Sequence, residues 1–208
     1  LLRLSFFACL FVALLSFLLT LLVAMRALVQ RVKRASVTVV EPPIVSETLE
    51  TPARAITVGS IGQGMLVLLG ITGSDTQAEI EWMCHKLLHL RIFADGEGKM
   101  NYSLLSLCEH GVEVGILVVS QFTLYGDARK GFRPSYTQAA PPPVAESLYN
   151  TFVEHLRWLC RSETQNLPGS ISIQTGIFAA MMDVELVNDG PVTIWIDKEH
   201  NAQQYNRT

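Results

Sequence analysis

The segment VEVGILVVSQFTL, residues 112–124, passes from an apolar run into a polar cluster within a few residues. The run from Val112 to Val119 is short, rich in β-branched residues and bounded by polar positions, which marks a buried strand rather than a helix. Met65-Leu66-Val67-Leu68-Leu69 is a second run of the same kind, entered through the turn Gly62-Gln63-Gly64. Two strands of this type need partners on both edges, and the rest of the chain supplies them. Residues 26–40 alternate through Leu28 and Val32 into Ser36-Val37-Thr38-Val39-Val40. Towards the other end, Ile171-Ser172-Ile173, Val184-Glu185-Leu186-Val187 and Val192-Thr193-Ile194-Trp195-Ile196 are strand-like.

Helical periodicity occurs in two places. Ser74 and Gln77 have capping-box spacing, and Ile80, Cys84, Leu87, Leu88 and Arg91 then fall near one face. Pro141-Pro142-Pro143 opens the second helix, with Val144, Leu148, Phe152, His155, Leu156 and Leu159 on its buried side. Several strands and two main helices, not in strict alternation, predict an α+β fold of mixed α/β layers in one domain.

The chain divides into three parts. Residues 1–24 form an apolar leader whose only charge is Arg3. It is long enough for a membrane anchor, and a cleaved signal or translated upstream sequence are the competing readings. The domain is expected over residues 25–197, with a polar tail at 198–208. Without Arg3 there remain 15 basic and 19 acidic residues. That balance argues against a protein that grips a long duplex, but not against one that touches an RNA end. Local basic clusters occur at Arg31, Lys33 and Arg34 and at Arg129, Lys130 and Arg133. Outside the leader, Cys84, Cys108 and Cys160 are widely spaced, a reduced, cytoplasmic pattern rather than a disulfide framework.

Chemistry has few places to sit. His85 and His89 have a zinc-ligand spacing without the intervening Glu of a metalloprotease and read as ordinary histidines, so no metal and no cofactor is expected. Residues 95–101 are a Gly-rich loop without the phosphate-loop pattern. Ser120-Gln121-Phe122-Thr123-Leu124 offers two hydroxyls, Ser120 and Thr123, but no G-x-S-x-G elbow and no acid or histidine beside them in sequence. Backbone N–H groups after Ser120 offer an alternative, polarising an ester carbonyl. Asn188-Asp189-Gly190-Pro191-Val192-Thr193 reads either as a tight turn between two strands or as a cis Gly-Pro element with fixed carbonyl directions.

These two segments resemble the two signature motifs of the D-aminoacyl-tRNA deacylases. Further segments match in family order: residues 25–32, Gly64 to Gly70, Arg91-Ile92-Phe93, Gly98-Lys99-Met100-Asn101, Gly131-Phe132-Arg133-Pro134-Ser135 and Thr175-Gly176-Ile177-Phe178. The resemblance implies a homodimer that hydrolyses the ester of D-aminoacyl-tRNA, with glycine carried by tRNA-Ala as a second substrate. It implies that Gly190-Pro191 is cis and enters the partner's pocket to exclude L-amino acids. Arg31 and Asn188 would support that motif. Ser120, Gln121, Phe122 and Thr123 would surround the ester, while Phe178, Met182 and Arg133 would meet the tRNA end. Catalysis would use the RNA's own 2′-OH, in preference to an older assignment of Thr123 as nucleophile. The sequence departs from compact members at the leader, between Glu41 and Thr57 and between Tyr102 and Val114. The latter two read as loop insertions, and the polar stretch with Pro42, Pro43 and Pro52 in the first of them as a loop or hairpin excursion. Ile177 and Met181 stand where some members have polar residues. A membrane-tethered, non-catalytic tRNA-end binding protein of the same fold, and a serine esterase acting through Ser120, are the rival functions.

Overall fold

The computed structural model describes residues 24–41, 45–46, 49–50 and 54–198. The leader up to residue 23 and the tail from residue 199 lie outside the described residues. The chain runs through β1 (Arg26–Glu41), a short hairpin of β2 (Val45–Ser46) and β3 (Leu49–Glu50), β4 (Arg54–Ile61), β5 (Gly64–Gly70) and helix α1 (Gln77–His89). A hairpin of β6 (Phe93–Ala94) and β7 (Met100–Tyr102) precedes α2 (Leu104–Glu109) and β8 (Val114–Ser120). A single 3-10 turn (Phe122–Tyr125), α3 (Pro142–Thr164), β9 (Ile171–Thr175) and β10 (Met182–Asp197) complete it.

The long strand β1 organises the main sheet, whose order is β10-β1-β5-β8-β9 with β4 also on β1. Residues 26–32 pair antiparallel with β5, and residues 35–41 pair with β4. Because only Gly62 and Gln63 separate them, β4 and β5 act as one bent return strand. On its other edge β1 pairs with β10 from Arg26↔Asp197 to Val39↔Met182. β5, β8 and β9 are mutually parallel, and α1 and α3 lie in the crossovers such connections need.

Strand alternation divides the interior. Ala27, Val29, Met65, Val67, Ile116 and Val118 face the helices and pack in one cluster with Ile80, Met83, Leu87, Phe152 and Leu156. Val32, Val37, Leu66, Leu117 and Val119 point the other way and meet Ile61 in a smaller cluster. That second cluster forms because β4 curls across β8 and β9. A Cβ at Gly59 would lie 2.6 Å from the Thr175 carbonyl oxygen, and one at Gly115 would lie 2.6 Å from Ile61. Trp195, opposite Leu28 in the register, is exposed on this face, while Val184, opposite Val37, lines a cavity.

The α+β expectation agrees with this architecture; three local expectations need correction. Helix α1 is capped by Thr76 and Glu79 instead of Ser74 and Gln77. Both pairs fit the spacing, but a carboxylate accepts the free N–H more strongly and suits the positive end of the helix. Although partial burial opposes its charge, Glu79 is held down to about 2 by hydrogen bonds from Lys198 and Thr76. In α3 the buried residues are Tyr149, Phe152, Val153, Leu156 and Cys160, whereas Val144 is exposed. Its first turn borders a cavity rather than the core. The stretch from Tyr102 to Val114, read as a loop, contains α2, capped by Ser103 and burying Leu104, Leu107 and Cys108. In the stretch from Glu41 to Thr57 the β2–β3 hairpin agrees with the expected hairpin excursion, and β4 begins at its end.

Candidate active site

Parallel strands end together, and the crevice beyond their carboxyl ends is where open α/β sheets receive ligands. Here a cavity of about 750 Å³ opens at that edge. Leu69 and Ile71 reach it from the end of β5, Ser120, Gln121 and Phe122 from the end of β8, and Phe178 and Met182 from the chain after β9. Pro141, Pro142 and Ala145 of the α3 entrance close one side.

The chain leaving β8 is fixed by its main chain. The Gln121 N–H donates to the Leu69 carbonyl at 2.7 Å, and the Gly126 N–H to that of Thr123 at 2.9 Å. Arg26 donates to the Leu124 carbonyl at 3.1 Å and lies over the Tyr125 ring, 4.6 Å from its centroid. Buried Tyr125 donates to the Ala24 carbonyl at 2.7 Å. Burial, reinforced by the charge of Asp75, pushes the Tyr125 phenol well above its ordinary pKa, so it stays a donor.

No activated nucleophile results. Thr123 Oγ1 accepts from the Gln121 side-chain amide. Among the described residues no side chain hydrogen-bonds the Ser120 hydroxyl. The Phe122 and Thr123 amides open the 3-10 turn, where N–H groups have no partner within the turn. They are the available donors for an oxyanion. Thr123 itself is exposed and outside the cavity lining. Phe178 packs its ring 5.8 Å from that of Tyr149. The Ile177 N–H points at Met182 Sδ at 3.3 Å.

The second motif is placed elsewhere. Residues 184–187 and 192–196 are not joined by a reversing turn; β10 runs through both. Residues 189–192 form a bulge opposite Arg31, between the pairs Val32↔Asn188 and Gln30↔Thr193. Because β1 continues past both halves and pairs with each, the chain has no need to turn back. The Gly190–Pro191 peptide is cis and Gly190 has φ +116°. Both residues are exposed. Arg31, only 9% exposed, holds the bulge from beneath. Its Nε donates to the Asp189 carbonyl at 3.2 Å and pairs with Asp189 Oδ2 at 3.0 Å, while Nη1 donates to the Ile92 carbonyl at 2.5 Å. Asn188 Nδ2 and Thr193 Oγ1 both donate to Gln30 Oε1, at 3.0 and 2.5 Å.

The two motifs sit on different strands: Ser120 pairs with Leu69, Leu69 with Ala27, and the bulge lies beyond β1 at the level of Arg31. Gly190 and Pro191 are not among the residues that line the cavity of their own chain. Arg133 is also outside it, on a loop whose own concavity is lined by Asp127, Arg129, Lys130 and Ser135. His85 and His89 stack at 4.0 Å on the exposed side of α1.

Sequence reading missed Tyr136, Ala139 and Ala145 as lining residues. A signal for the two alanines lay in the small residues around the Pro141 helix start, which leave open space beside a parallel strand end. Tyr136 had none; only its ring contact with Phe122, 5.2 Å between centroids, marks it.

The family model described as D-Tyr-tRNA(Tyr) deacylase matches residues 28–197. A D-aminoacyl-tRNA deacylase of Thermomicrobium roseum is 51% identical over 173 residues, 83% of this chain and 94% of the relative. One of Desulfotalea psychrophila is 48% identical over 175 residues, 84% and 98% of the two chains. A solved structure titled c-Myc DNA Unwinding Element Binding Protein aligns at TM-score 0.62 and 41% identity, covering 82% of this chain and 97% of that one. A probable eukaryotic D-amino acid tRNA deacylase shares the fold at TM-score 0.58 and 20% identity, over 83% and 98% of the chains.

Proposed function

The chain belongs to the D-Tyr-tRNA(Tyr) deacylase family, and on that premise we propose that it hydrolyses the ester linking a D-amino acid to the 3′ end of tRNA. Glycine carried by tRNA-Ala is its second substrate. Residues 25–197 are the catalytic unit, with the terminal adenosine against Phe178 and Met182 and the ester beside Ser120, Gln121, Phe122 and Thr123.

The observation that carries this reading is a cavity beside the two amides that open the 3-10 turn, with no activated side-chain nucleophile among the described residues. Such a site favours positioning and oxyanion stabilisation over covalent catalysis. The terminal ribose carries a 2′-OH next to the ester, so the substrate itself brings a group to orient or deprotonate water. Handedness is read by Gly190-Pro191 of a second subunit, since that motif does not line the cavity of its own chain. The half-exposed Trp195 on the open sheet face fits a contact surface in such a homodimer. In this arrangement a D side chain points away from the partner's bulge and an L side chain meets it.

No helix among the described residues is long and apolar enough to cross a membrane, so nothing there favours the tethered binding protein. The direct test is deacylation of matched D- and L-aminoacyl-tRNA, with the mass in solution measured on the same sample. A dimer that strongly prefers the D ester is expected. Equal rates, or no turnover of the D ester, overturn the assignment; a fully active monomer overturns the shared pocket.

A further inference from the structure

We propose that the hairpin of residues 127–135 is a phosphate clamp for the 3′ strand of the tRNA, seated beside the ester pocket and separate from it. This rests on the reading of the cavity as an aminoacyl-ester site. The hairpin is closed by a bridge in which the Asp127 N–H donates to the Ser135 carbonyl at 2.8 Å and the Ser135 N–H returns to the Asp127 carbonyl at 2.9 Å. Beyond that bridge Arg129, Lys130 and Arg133 are all exposed and, with Asp127 and Ser135, line one concavity of about 510 Å³. Three cations face one carboxylate there, in a protein whose formal net charge is −3. A local excess of this kind attracts a polyanion that the protein as a whole repels.

Its position supplies the second argument. Tyr136, immediately after the bridge, lines the ester cavity and packs edge-on against Phe122. A nucleoside seated in the cavity therefore leaves past this rim, with the phosphates just upstream of it directed at the hairpin. Asp127 tempers the clamp. Its carboxylate accepts from Arg129 Nε at 2.8 Å and Nη2 at 2.6 Å, and also from the Arg129 N–H at 3.0 Å. Those bonds depress the Asp127 pKa and raise that of Arg129. Arg129 is thus prepositioned but partly neutralised, while Lys130 and Arg133 have no ion-pair partner among the described residues.

Two substrates separate the clamp from the pocket: a D-aminoacyl-tRNA and the same D-amino acid esterified to adenosine alone. The readout is the ratio of kcat/KM on the first to that on the second, followed against salt. For Arg129→Ala/Lys130→Ala the ratio is expected to fall about tenfold at low salt, chiefly through KM. The logarithmic salt dependence on tRNA should flatten by about 0.7 for each phosphate that the variant no longer neutralises. Asp127→Asn keeps the turn but removes the opposing charge, so it should raise the ratio, an outcome that general misfolding does not give. An unchanged ratio and slope in both variants overturns the clamp. If the parent hydrolyses neither ester, the reading of the pocket fails and the clamp falls with it.

Discussion

The two motif segments are held in opposite ways. Residues 120–125 are fixed mainly through their backbone, with the Gln121 amide on β5 and the Leu124 carbonyl under Arg26, and through one buried side chain, the Tyr125 phenol on Ala24. Residues 188–193 leave the regular ladder as a bulge and are held by side chains of β1, namely Arg31 and Gln30. The first arrangement does not depend on the side chains of Ser120 or Thr123. The second makes the position of Gly190-Pro191 depend on two side chains of β1, the buried Arg31 foremost. On the proposed function the first segment is a catalytic wall and the second a selectivity element, and mutations should affect them unequally.

The largest effect is expected at Arg31. Arg31→Ala leaves two carbonyls and Asp189 without their donor. Arg31 is buried but the Asp189 side chain is 32% exposed, so the loss falls below that of breaking a fully buried pair, about 3–5 kcal/mol. The bulge would lose its support, so D-over-L discrimination should drop much more than the rate on the D ester. Arg31→Lys keeps the charge but cannot span Ile92 and Asp189 together, and should fall between parent and Arg31→Ala. Denaturant melts alongside paired D and L assays decide the point. Full discrimination in a folded Arg31→Ala protein would break the comparison.

The main-chain-fixed region has a weak point of a different kind. Asp75 is buried, accepts the Thr72 N–H at 2.8 Å through Oδ2, and has no hydrogen bond to Oδ1 among the described residues. Burial raises its pKa to about 7, against the opposing pull of the Thr72 and Met25 amides. A folded-state pKa above the ordinary value means that protonation favours the fold. This contribution is complete below about pH 4 and is lost as pH rises through 7. The difference is on the order of 4 kcal/mol over that whole range. Glu79 has the opposite sign, and its contribution is lost only as pH falls from 4.5 towards 2. Denaturant midpoints at pH 5 and pH 8 should therefore differ in the parent and converge in Asp75→Asn. A parent with equal midpoints removes Asp75 from the account.

Gly190→Ala is expected to act less on stability and more on selectivity. The new methyl would lie 2.8 Å from Arg31 Nη2 and 2.9 Å from Val192 Cγ2, on a backbone with φ +116°. Strain of this kind costs about 1–3 kcal/mol. Since Arg31 can give way, the fold should survive while the bulge shifts. Discrimination should fall about tenfold, a change of 1.4 kcal/mol. An unaltered D-over-L ratio would count against a role for the bulge in reading the substrate.

What was legible in the sequence follows the same division. β5 and β8 announce themselves because both faces are buried and the apolar run is continuous. The bulge could not be told from a turn, because Asn, Asp, Gly and Pro suit both, and only the pairing of β1 with both halves of β10 decides. Ser74/Gln77 and Thr76/Glu79 are equally good cap patterns in a string of letters; the ion pair of Glu79 with Lys198, far along the chain, favours the second. Helix α2 is too short for periodicity to register. At the site, Ser120, Gln121 and Phe122 could be placed at a strand end, whereas their distance from Gly190 is a property of sheet order, which no local pattern encodes.

The smallest effect is expected at the hydroxyls that a nucleophile-centred view would rank first. Thr123 is exposed, accepts only from Gln121, and has no base beside it. Ser120 lines the cavity but has no hydrogen-bond partner among the described side chains. Neither position determines the path of the main chain, because the Gln121 amide and the Leu124 carbonyl do that. Thr123→Ala and Ser120→Ala should each lower the rate on the D ester less than tenfold, with stability changed by about 0.5 kcal/mol or less at Thr123. A covalent mechanism demands a loss of several orders of magnitude for one of them. Single-turnover assays with trapping of any acyl-enzyme distinguish the two cases. A stable adduct on Thr123 would mean that a side chain, and not the amides of the turn, carries the chemistry, and the wall would then be no more tolerant than the bulge.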